Sequence, residues 1–353
     1  MLVRLKSSRA LFLLAMLVLT ALPVLPQDDD ETIRAQRHYE TGQKLYRSGR
    51  TEQAIEELYT ALSVREIFFE AQLLLGRSLI ETKRYREAVA TLREIEPHAR
   101  DTVEVQKLLG KAYCEINKLQ HASRHLTHAI SLSKRPDYEL HYLLGLVKLR
   151  QGDARGAVDE AKIVATLKPR FALAQKLLGD ACLMRQDYGQ AEKALKRYLA
   201  SVRDRAETVG LKERIKALEN LKRAKPEKSV QKPISLPQIH KIPRPGYTAE
   251  ALRYKVEGAV RVEVLFGSDG VIQHALVARG LGFGLDEEAL KAARGIEFKP
   301  GEVDGKPVSM WIGVNLLFSM VEVEWEQRGN PRITLLPFHP ERSLSSSSVL
   351  PGV

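Results

Sequence analysis

Five glycines recur along the first two-thirds of the sequence at intervals of 34 or 35 residues, and an alanine follows each of them twelve residues later. A fixed period near 34 with small residues at fixed phases is typical of stacked helix–turn–helix units, in which paired helices must approach closely. Each two-helix unit buries its apolar face only against its neighbours. The pattern therefore predicts an all-α repeat array. The glycines are Gly42, Gly76, Gly110, Gly145 and Gly179, and the alanines are Ala54, Ala88, Ala122, Ala157 and Ala191.

Further phases of the repeat are apolar as well. A leucine directly precedes four of the five glycines, and an apolar residue lies sixteen and again nineteen residues after each glycine. Over residues 31–202 this pattern resembles five tetratricopeptide repeats, although the tryptophan of the family pattern is absent and Thr41 stands where the first leucine is expected. The resemblance implies an all-α solenoid that binds a protein or peptide. Residues 203–224 carry apolar side chains at helical spacing, and we expect them to form a capping helix.

The resemblance also implies where a binding groove lies, because in the family the first-helix positions three before and one after the glycine line the concave surface. Lys107 and Lys111 are four residues apart and share a helix face. They could hold a carboxylate of an acidic peptide, and the alternative is that such lysines only face solvent. The groove candidates for protein binding are Tyr39, Gln43, Arg77, Lys107, Lys111, Tyr142 and Lys176.

The net charge of +11 falls almost entirely within residues 31–224. This basic excess favours either an acidic partner or a simple solvated surface.

The cysteines and a histidine strip predict neither a disulfide nor a metal centre. Cys114 and Cys182 lie two repeats apart, beyond the reach of a disulfide, so we expect both to be buried as small apolar residues. His121, His125 and His128 share one helix face but have no acidic or thiol ligand at matching spacing. We interpret them as an exposed strip, with no metal and no cofactor.

A change of pattern after the array predicts a second domain. Residues 225–245 contain five prolines among several lysines, and this composition predicts an extended linker. From residue 246 to 325 the order of patterns is helix, two alternating strands joined by a Ser-Asp-Gly turn, a second helix and a long final strand. This order predicts a small α+β domain with an antiparallel three-stranded sheet. We expect residues 326–353 to form a partly disordered tail.

The second domain resembles the C-terminal domain of TonB and its TolA-like relatives. The matching pieces keep the family's order and spacing: Glu257-Gly258-Ala259-Val260, Asp269-Gly270-Val271, Leu285-Asp286-Glu287-Glu288-Ala289, Phe298-Lys299-Pro300 and Gly305-Lys306-Pro307-Val308. In place of the family's usual Tyr-Pro pair the chain has Pro-Gly-Tyr-Thr at 245–248. The resemblance implies a recognition module with an open sheet edge. A strand of a partner, such as an outer-membrane receptor, is added to that edge. We expect that edge at Trp311, Gly313, Asn315 and Leu317, unless residues 322–338 fold back to cover it.

The N-terminus predicts export. Arg4, Lys6 and Arg9 precede the apolar run 10–25, and three aspartates follow it. This order resembles a secretory signal, but a clear cleavage site is missing, so residues 1–27 are either a signal peptide or an uncleaved anchor. In both cases the positive-inside rule sends the rest of the chain across the membrane, which with the TonB-like domain predicts the periplasm. Membrane contact is expected only through residues 1–27, if they are kept.

Together these features predict a non-enzymatic adaptor of the cell envelope with protein or peptide partners and no nucleic-acid partner. The alternative is a TonB-type energy transducer. Such transducers anchor by a helix that carries a histidine, and this chain has no histidine before His38. The sequence contains no nucleophile elbow, phosphate loop, zinc motif or paired-carboxylate motif, so we expect no enzymatic activity.

Overall fold

The computed structural model describes residues 27–223, 234–320 and 336–337. These form two compact units, one up to Arg100 and the other from Asp101 onward. Three predicted segments lie largely or partly outside the described residues, namely the signal or anchor, residues 224–233 of the linker, and the tail apart from 336–337.

The first unit consists of two helical hairpins, which are the first two repeats. Their helices are α1 (Gln27–Arg47), α2 (Thr51–Val64), α3 (Phe69–Glu81) and α4 (Tyr85–Ala99).

The second unit begins with three further hairpins and a longer helix. The hairpins are α5 (Val103–Glu115) with α6 (Leu119–Leu132), α7 (Tyr138–Gln151) with α8 (Ala154–Leu167), and α9 (Ala172–Met184) with α10 (Tyr188–Leu199), and the longer helix is α11 (Arg205–Arg223). Five helix pairs in sequence confirm the predicted all-α repeat fold.

The periodic glycines are explained by the leucine sixteen residues later. A methyl group on Gly110 would lie 2.5 Å from Leu126 Cγ, far inside van der Waals contact, and Gly76 meets Leu92 at the same distance. Gly145 differs because the residue sixteen positions later is Ala161, and its neighbours are instead Glu160 and a leucine of α9. Gly76, Gly110 and Gly179 are therefore required for close helix packing within their pairs.

The turn inside each hairpin contains one residue in the left-handed region. These residues are Gly49, Lys83, Asn117, Gly152 and Gln186, with φ between +59° and +85°. The sequence indicates this turn in three repeats by Gly or Asn. In the other two a lysine and a glutamine adopt a conformation that costs an L-residue roughly 1–2 kcal/mol.

The remainder of the second unit is a small α+β domain. Its main elements are α12 (Ala249–Arg253), β3 (Gly258–Phe266), β4 (Ile272–Arg279), α13 (Leu285–Arg294) and β8 (Met310–Phe318). Strand β3 lies between β4 and β8 and is antiparallel to both. This confirms the predicted three-stranded sheet. Thr248 caps α12, because its Oγ1 accepts a hydrogen bond from Ala251 N at 3.1 Å.

Of six further short strands, the first five were not predicted, and the last belongs to the segment 322–338 for which folding back over the sheet edge was the open alternative. They are β1 (Ile234–Ser235), β2 (Gln238–Lys241), β5 (Glu297–Lys299), β6 (Gly301–Val303), β7 (Lys306–Val308) and β9 (Leu336–Pro337). Strand β1 pairs with β6, and β2 pairs with β5. The prediction of a linker up to residue 245 is therefore wrong for residues 234–241. Pro237 and Pro243 lie outside these strands, so the ladders keep their N–H donors.

The sheet buries both of its faces. Side chains alternate along β3, so Val262 and Val264 face α13 while Glu263 and Leu265 point the other way. On that second face Leu276 and Trp311 join one apolar cluster with residues of α9, α10 and α11. The apolar side of α11 that contributes to this cluster consists of Leu211, Ile215, Leu218 and Leu221. Repeat five, helix α11 and the sheet therefore share a core.

Candidate functional site

The groove candidates of the first unit contact one another or their neighbours. Gln43 Nε2 donates to the Tyr39 hydroxyl at 3.2 Å, and the ring of Tyr39 lies 5.1 Å from that of Phe68. Arg77 is half-buried next to the Tyr46 phenol. Burial and a hydrogen bond to Glu81 raise the pKa of Tyr46 to about 12. These side chains form a polar and aromatic surface with little excess charge.

In the second unit Lys107 is already engaged in an ion pair. Its ammonium contacts the Glu139 carboxylate of the following repeat and lies 3.9 Å from Asp137. Burial disfavours the charged ammonium, but the hydrogen bond and attraction of Glu139 outweigh it and raise the pKa of Lys107. Lys111 is exposed. An incoming carboxylate would therefore have to compete with Glu139 for Lys107.

The last two groove candidates lie at the aromatic contacts between repeats. Tyr142 packs edge-on against Phe171 with ring centroids 5.1 Å apart. Burial, with the nearby Asp180 carboxylate, raises the pKa of Tyr142. Lys176 lies 3.4 Å from Glu207 and 5.5 Å above the ring of Tyr198. Lys176 also borders the region where the array meets the C-terminal domain.

A cleft of about 440 Å³ lies in that region. Leu146, Lys176 and Asp180, which occupy groove positions of repeats four and five, form part of one wall. Strand β4 and helix α13 provide the opposite wall through residues 275–278 and Leu290. The repeat groove at this end of the array is thus closed over by the C-terminal domain.

The loop before α13 contacts both the repeats and helix α12 beside the cleft. Phe283 has a φ of +55°, a conformation that a bulky residue rarely adopts. Thr248 Oγ1 donates to the Phe283 carbonyl at 2.6 Å. The guanidinium of Arg150 lies 5.0 Å from the centroid of the Phe283 ring and donates to the Cys114 carbonyl at 2.9 Å. Arg150 therefore connects repeats three and four to the C-terminal domain by a cation–π contact.

The face of the sheet that packs against the array adds polar contacts to the same interface. Asn220 Nδ2 of α11 lies 2.7 Å from His274 Nε2, and the ring of His274 stacks on Trp311. Burial, with the positive charge of Lys216, lowers the pKa of His274. A neutral histidine accepts this hydrogen bond from the amide.

One free edge of the sheet is at β8. On one side β8 pairs with β3 over its whole length, and on the other only Ile312 and Gly313 pair with β9. Among the described residues, no strand pairs with the outer side of residues 314–318.

The four predicted edge residues have different environments. The side chain of Trp311 is 7% exposed against the array, and Gly313 is opposite Leu336. Asn315 and Leu317 lie on the unpaired part, and Leu317 is 55% exposed.

The predicted exposed histidine strip is wrong for His125. This side chain is 3% exposed, its Nδ1 lies 2.7 Å from Gln106 Oε1, and it stacks on Tyr113. Two other repeats place a polar pair at the same separation of 19 residues, namely His38 with Glu57 and His141 with Glu160. This repeated spacing is the signal that could have revealed His125 as a member of a polar pair between the helices.

The described residues contain no group of three or more histidine, cysteine or acidic side chains that could hold a metal ion. As predicted, Cys114 and Cys182 are buried, and both are free thiols. Burial raises the pKa of each thiol to about 11. Within the ranges that the structure describes, no helix is both long and apolar enough to cross a membrane.

Comparisons with known families agree with this geometry. Residues 243–320 match the family model of the C-terminal domain of the Gram-negative bacterial TonB protein. Residues 45–112 and 109–206 match two models of the tetratricopeptide repeat. The chain joins tetratricopeptide repeats to a TonB C-terminal domain. Both are modules of protein–protein interaction.

Several solved structures resemble the repeats. MamA is 21% identical over 56% of this chain and 98% of its own, with a TM-score of 0.42. YrrB, described as a repeat protein with an unusual peptide-binding site, is 17% identical over 50% of this chain and 90% of its own, with a TM-score of 0.43. A thermophilic repeat protein of Thermus thermophilus is 19% identical over 53% of this chain and 99% of its own, with a TM-score of 0.40. No curated protein matches the chain.

Proposed function

We propose that this chain is a non-enzymatic adaptor of the Gram-negative envelope. In this proposal the tetratricopeptide groove holds one protein or peptide, and the TonB-like domain adds a strand of a second partner to the edge of its sheet. An outer-membrane receptor is the kind of partner that the TonB resemblance suggests. The N-terminal segment supports a periplasmic location.

The open side of β8 carries the proposal. An edge strand leaves a row of backbone donors and acceptors without a strand partner, and this row attracts an added strand. Main-chain hydrogen bonds supply affinity in this mode, while pockets for alternate side chains supply selectivity. Residues 314–318 meet this requirement, and the exposed Leu317 offers an apolar contact to the added strand.

The array supports binding in a different way. Its groove candidates are mostly polar or aromatic, and Lys107 already has an acidic partner. This favours recognition of a peptide through hydrogen bonds and aromatic contacts over recognition of a carboxylate by the two lysines alone. The exposed Lys111 remains available for one acidic contact.

Photo-crosslinking in cells tests the strand-addition half of the proposal. A crosslinking amino acid at Leu317 should capture an envelope protein, while the same group at Leu252, which is 51% exposed on α12, should not. A proline at Asn315 should abolish capture, because proline cannot donate to the added strand and its ring disturbs the edge. Equal capture from both positions would refute strand addition at this edge.

The state of the N-terminus separates an adaptor from an energy transducer. A mature protein that begins near residue 27 would support a free periplasmic adaptor. Retention of residues 1–27 together with co-purification of a proton-driven motor complex would support the transducer instead. N-terminal sequencing and mass spectrometry of the purified complex measure both.

A further inference from the structure

The sheet has a second free edge, and it lies inside the cleft. Strand β4 pairs only with β3, so among the described residues its outer side has no strand partner. Residues 275–278 of that strand line the cleft directly. This edge is opposite to the β8 edge on which the proposed function depends.

The two walls of the cleft continue the layers that cover the sheet. Helix α13 packs on one face of β3 and β4, and helices α9 and α11 approach β4 from the other. Past β4 the walls continue with Leu290 of α13 on one side, and with Leu146 and Leu149 of α7 and Met184 of α9 on the repeat side. The cleft is therefore the space that one further strand of the sheet would occupy.

The dimensions fit a short extended peptide. Four residues of β4 span about 13 Å at the rise of a β-strand. The volume of about 440 Å³ is within the range of ordinary ligand pockets. Because alternate side chains of a strand point to opposite faces, an added strand would place one set against Leu290 and the next against Leu146.

The charges of the cleft favour a peptide without net charge. Its lining contains four basic and four acidic side chains. Arg214 pairs with Asp180 at 2.7 Å, and Arg294 pairs with Glu213 at 3.4 Å. The charges of the lining thus balance one another. A strongly acidic peptide would find no excess of positive charge there.

We infer that the cleft is a second peptide site, in which an uncharged extended segment with alternate apolar side chains adds to β4 between α13 and the repeats. This inference goes beyond the proposed function, because it concerns the other edge of the sheet and makes the repeats and the C-terminal domain one composite site.

Peptide selection on the full chain provides the test. A phage library of random heptapeptides is selected on the immobilised protein, and the winning peptides are synthesised with a fluorescent label for anisotropy measurements. We expect winners with no net charge and with apolar residues at alternate positions. Methylation of alternate backbone nitrogens should weaken binding at least tenfold, since it removes donors to the β4 edge.

Three matched variants locate the bound peptide. Leu146→Glu and Leu290→Glu should each weaken binding at least tenfold, because they place a charge on opposite walls of the cleft. Leu252→Glu makes the same chemical change outside the cleft and should have no effect. Circular dichroism melts check that each variant is folded.

A fourth variant separates this inference from the proposed function. If binding is lost in Leu317→Glu and kept in Leu146→Glu and Leu290→Glu, the peptides use the β8 edge, and the inference fails while the proposed function stands. Binding that tolerates backbone methylation, or a library that yields no peptide sensitive to the cleft variants, would also overturn it. Loss in the cleft variants with retention in Leu317→Glu supports the second site.

Discussion

Substitution of a periodic glycine tests the packing that builds the array. In Gly110→Ala the new methyl group would lie 2.5 Å from Leu126 Cγ, about 1 Å closer than an optimal carbon–carbon contact. Because that atom is a branch point and not a flexible tip, the helices must move apart. Overpacking of this kind costs about 1–3 kcal/mol, and the better helix propensity of alanine returns about 1 kcal/mol. The net loss of unfolding free energy should therefore lie between about 0 and 2 kcal/mol.

Gly210→Ala is the matched control. Gly210 also lies within a helix, α11, but a methyl group there would meet nothing within 4 Å. This variant should be stabilised by up to about 1 kcal/mol, since only helix propensity changes. Urea unfolding followed by far-ultraviolet circular dichroism measures both values.

A double variant tests the pair directly. Leu126→Ala alone should cost about 2–5 kcal/mol by leaving a cavity. Combined with Gly110→Ala, the added methyl group no longer meets Leu126, so the total loss should be smaller than the sum of the two single losses. Additive losses, or a Gly110→Ala variant as stable as Gly210→Ala, would refute the explanation of the 34-residue period.

Three further outcomes are expected. Gln186→Gly should raise the unfolding free energy by about 0.5–1 kcal/mol in urea titrations, because glycine adopts the left-handed turn without strain; a loss would contradict the turn geometry. Glu139→Gln should lower stability by at most about 1 kcal/mol near neutral pH. The hydrogen bond from Lys107 lowers the pKa of Glu139 below its ordinary value of 4.5, so the contribution of the pair is present above that value and fades as the pH falls through the folded pKa. The two proteins should therefore converge in stability once the pH is below the folded pKa of Glu139. Trp311→Ala should cost about 3–5 kcal/mol and accelerate hydrogen exchange in α11 as well as in the sheet, whereas an effect confined to the sheet would argue against a shared core.

Features set by local periodicity were predictable from the sequence. The helix pairs follow from glycine, alanine and leucine at fixed phases, and strands β3, β4 and β8 follow from alternating apolar residues. These patterns work because each element needs one apolar face, and its period is read directly along the chain. The short strands β1 and β2 were missed because they are two and four residues long and stand among prolines.

The interface between the array and the sheet could not be predicted. The apolar spacing of α11 shows that one side of the helix is buried, but it does not say against what. Trp311 was expected on a partner-facing edge, and its side chain instead contributes to the core beneath α11. Contacts between elements so distant in sequence leave no periodic signal, so the composite cleft became visible only in the structure.

The common core has a consequence for studies of the separate halves. Cutting the chain between residues 224 and 233 and separating the halves would expose Leu276 and Trp311 on the sheet to solvent. It would also expose Leu218 on the helical half. Each fragment would then expose an apolar surface that is buried in the intact protein. Pull-downs with such fragments would recover proteins that bind the exposed apolar surface non-specifically. Only baits that retain both halves would report the physiological partners.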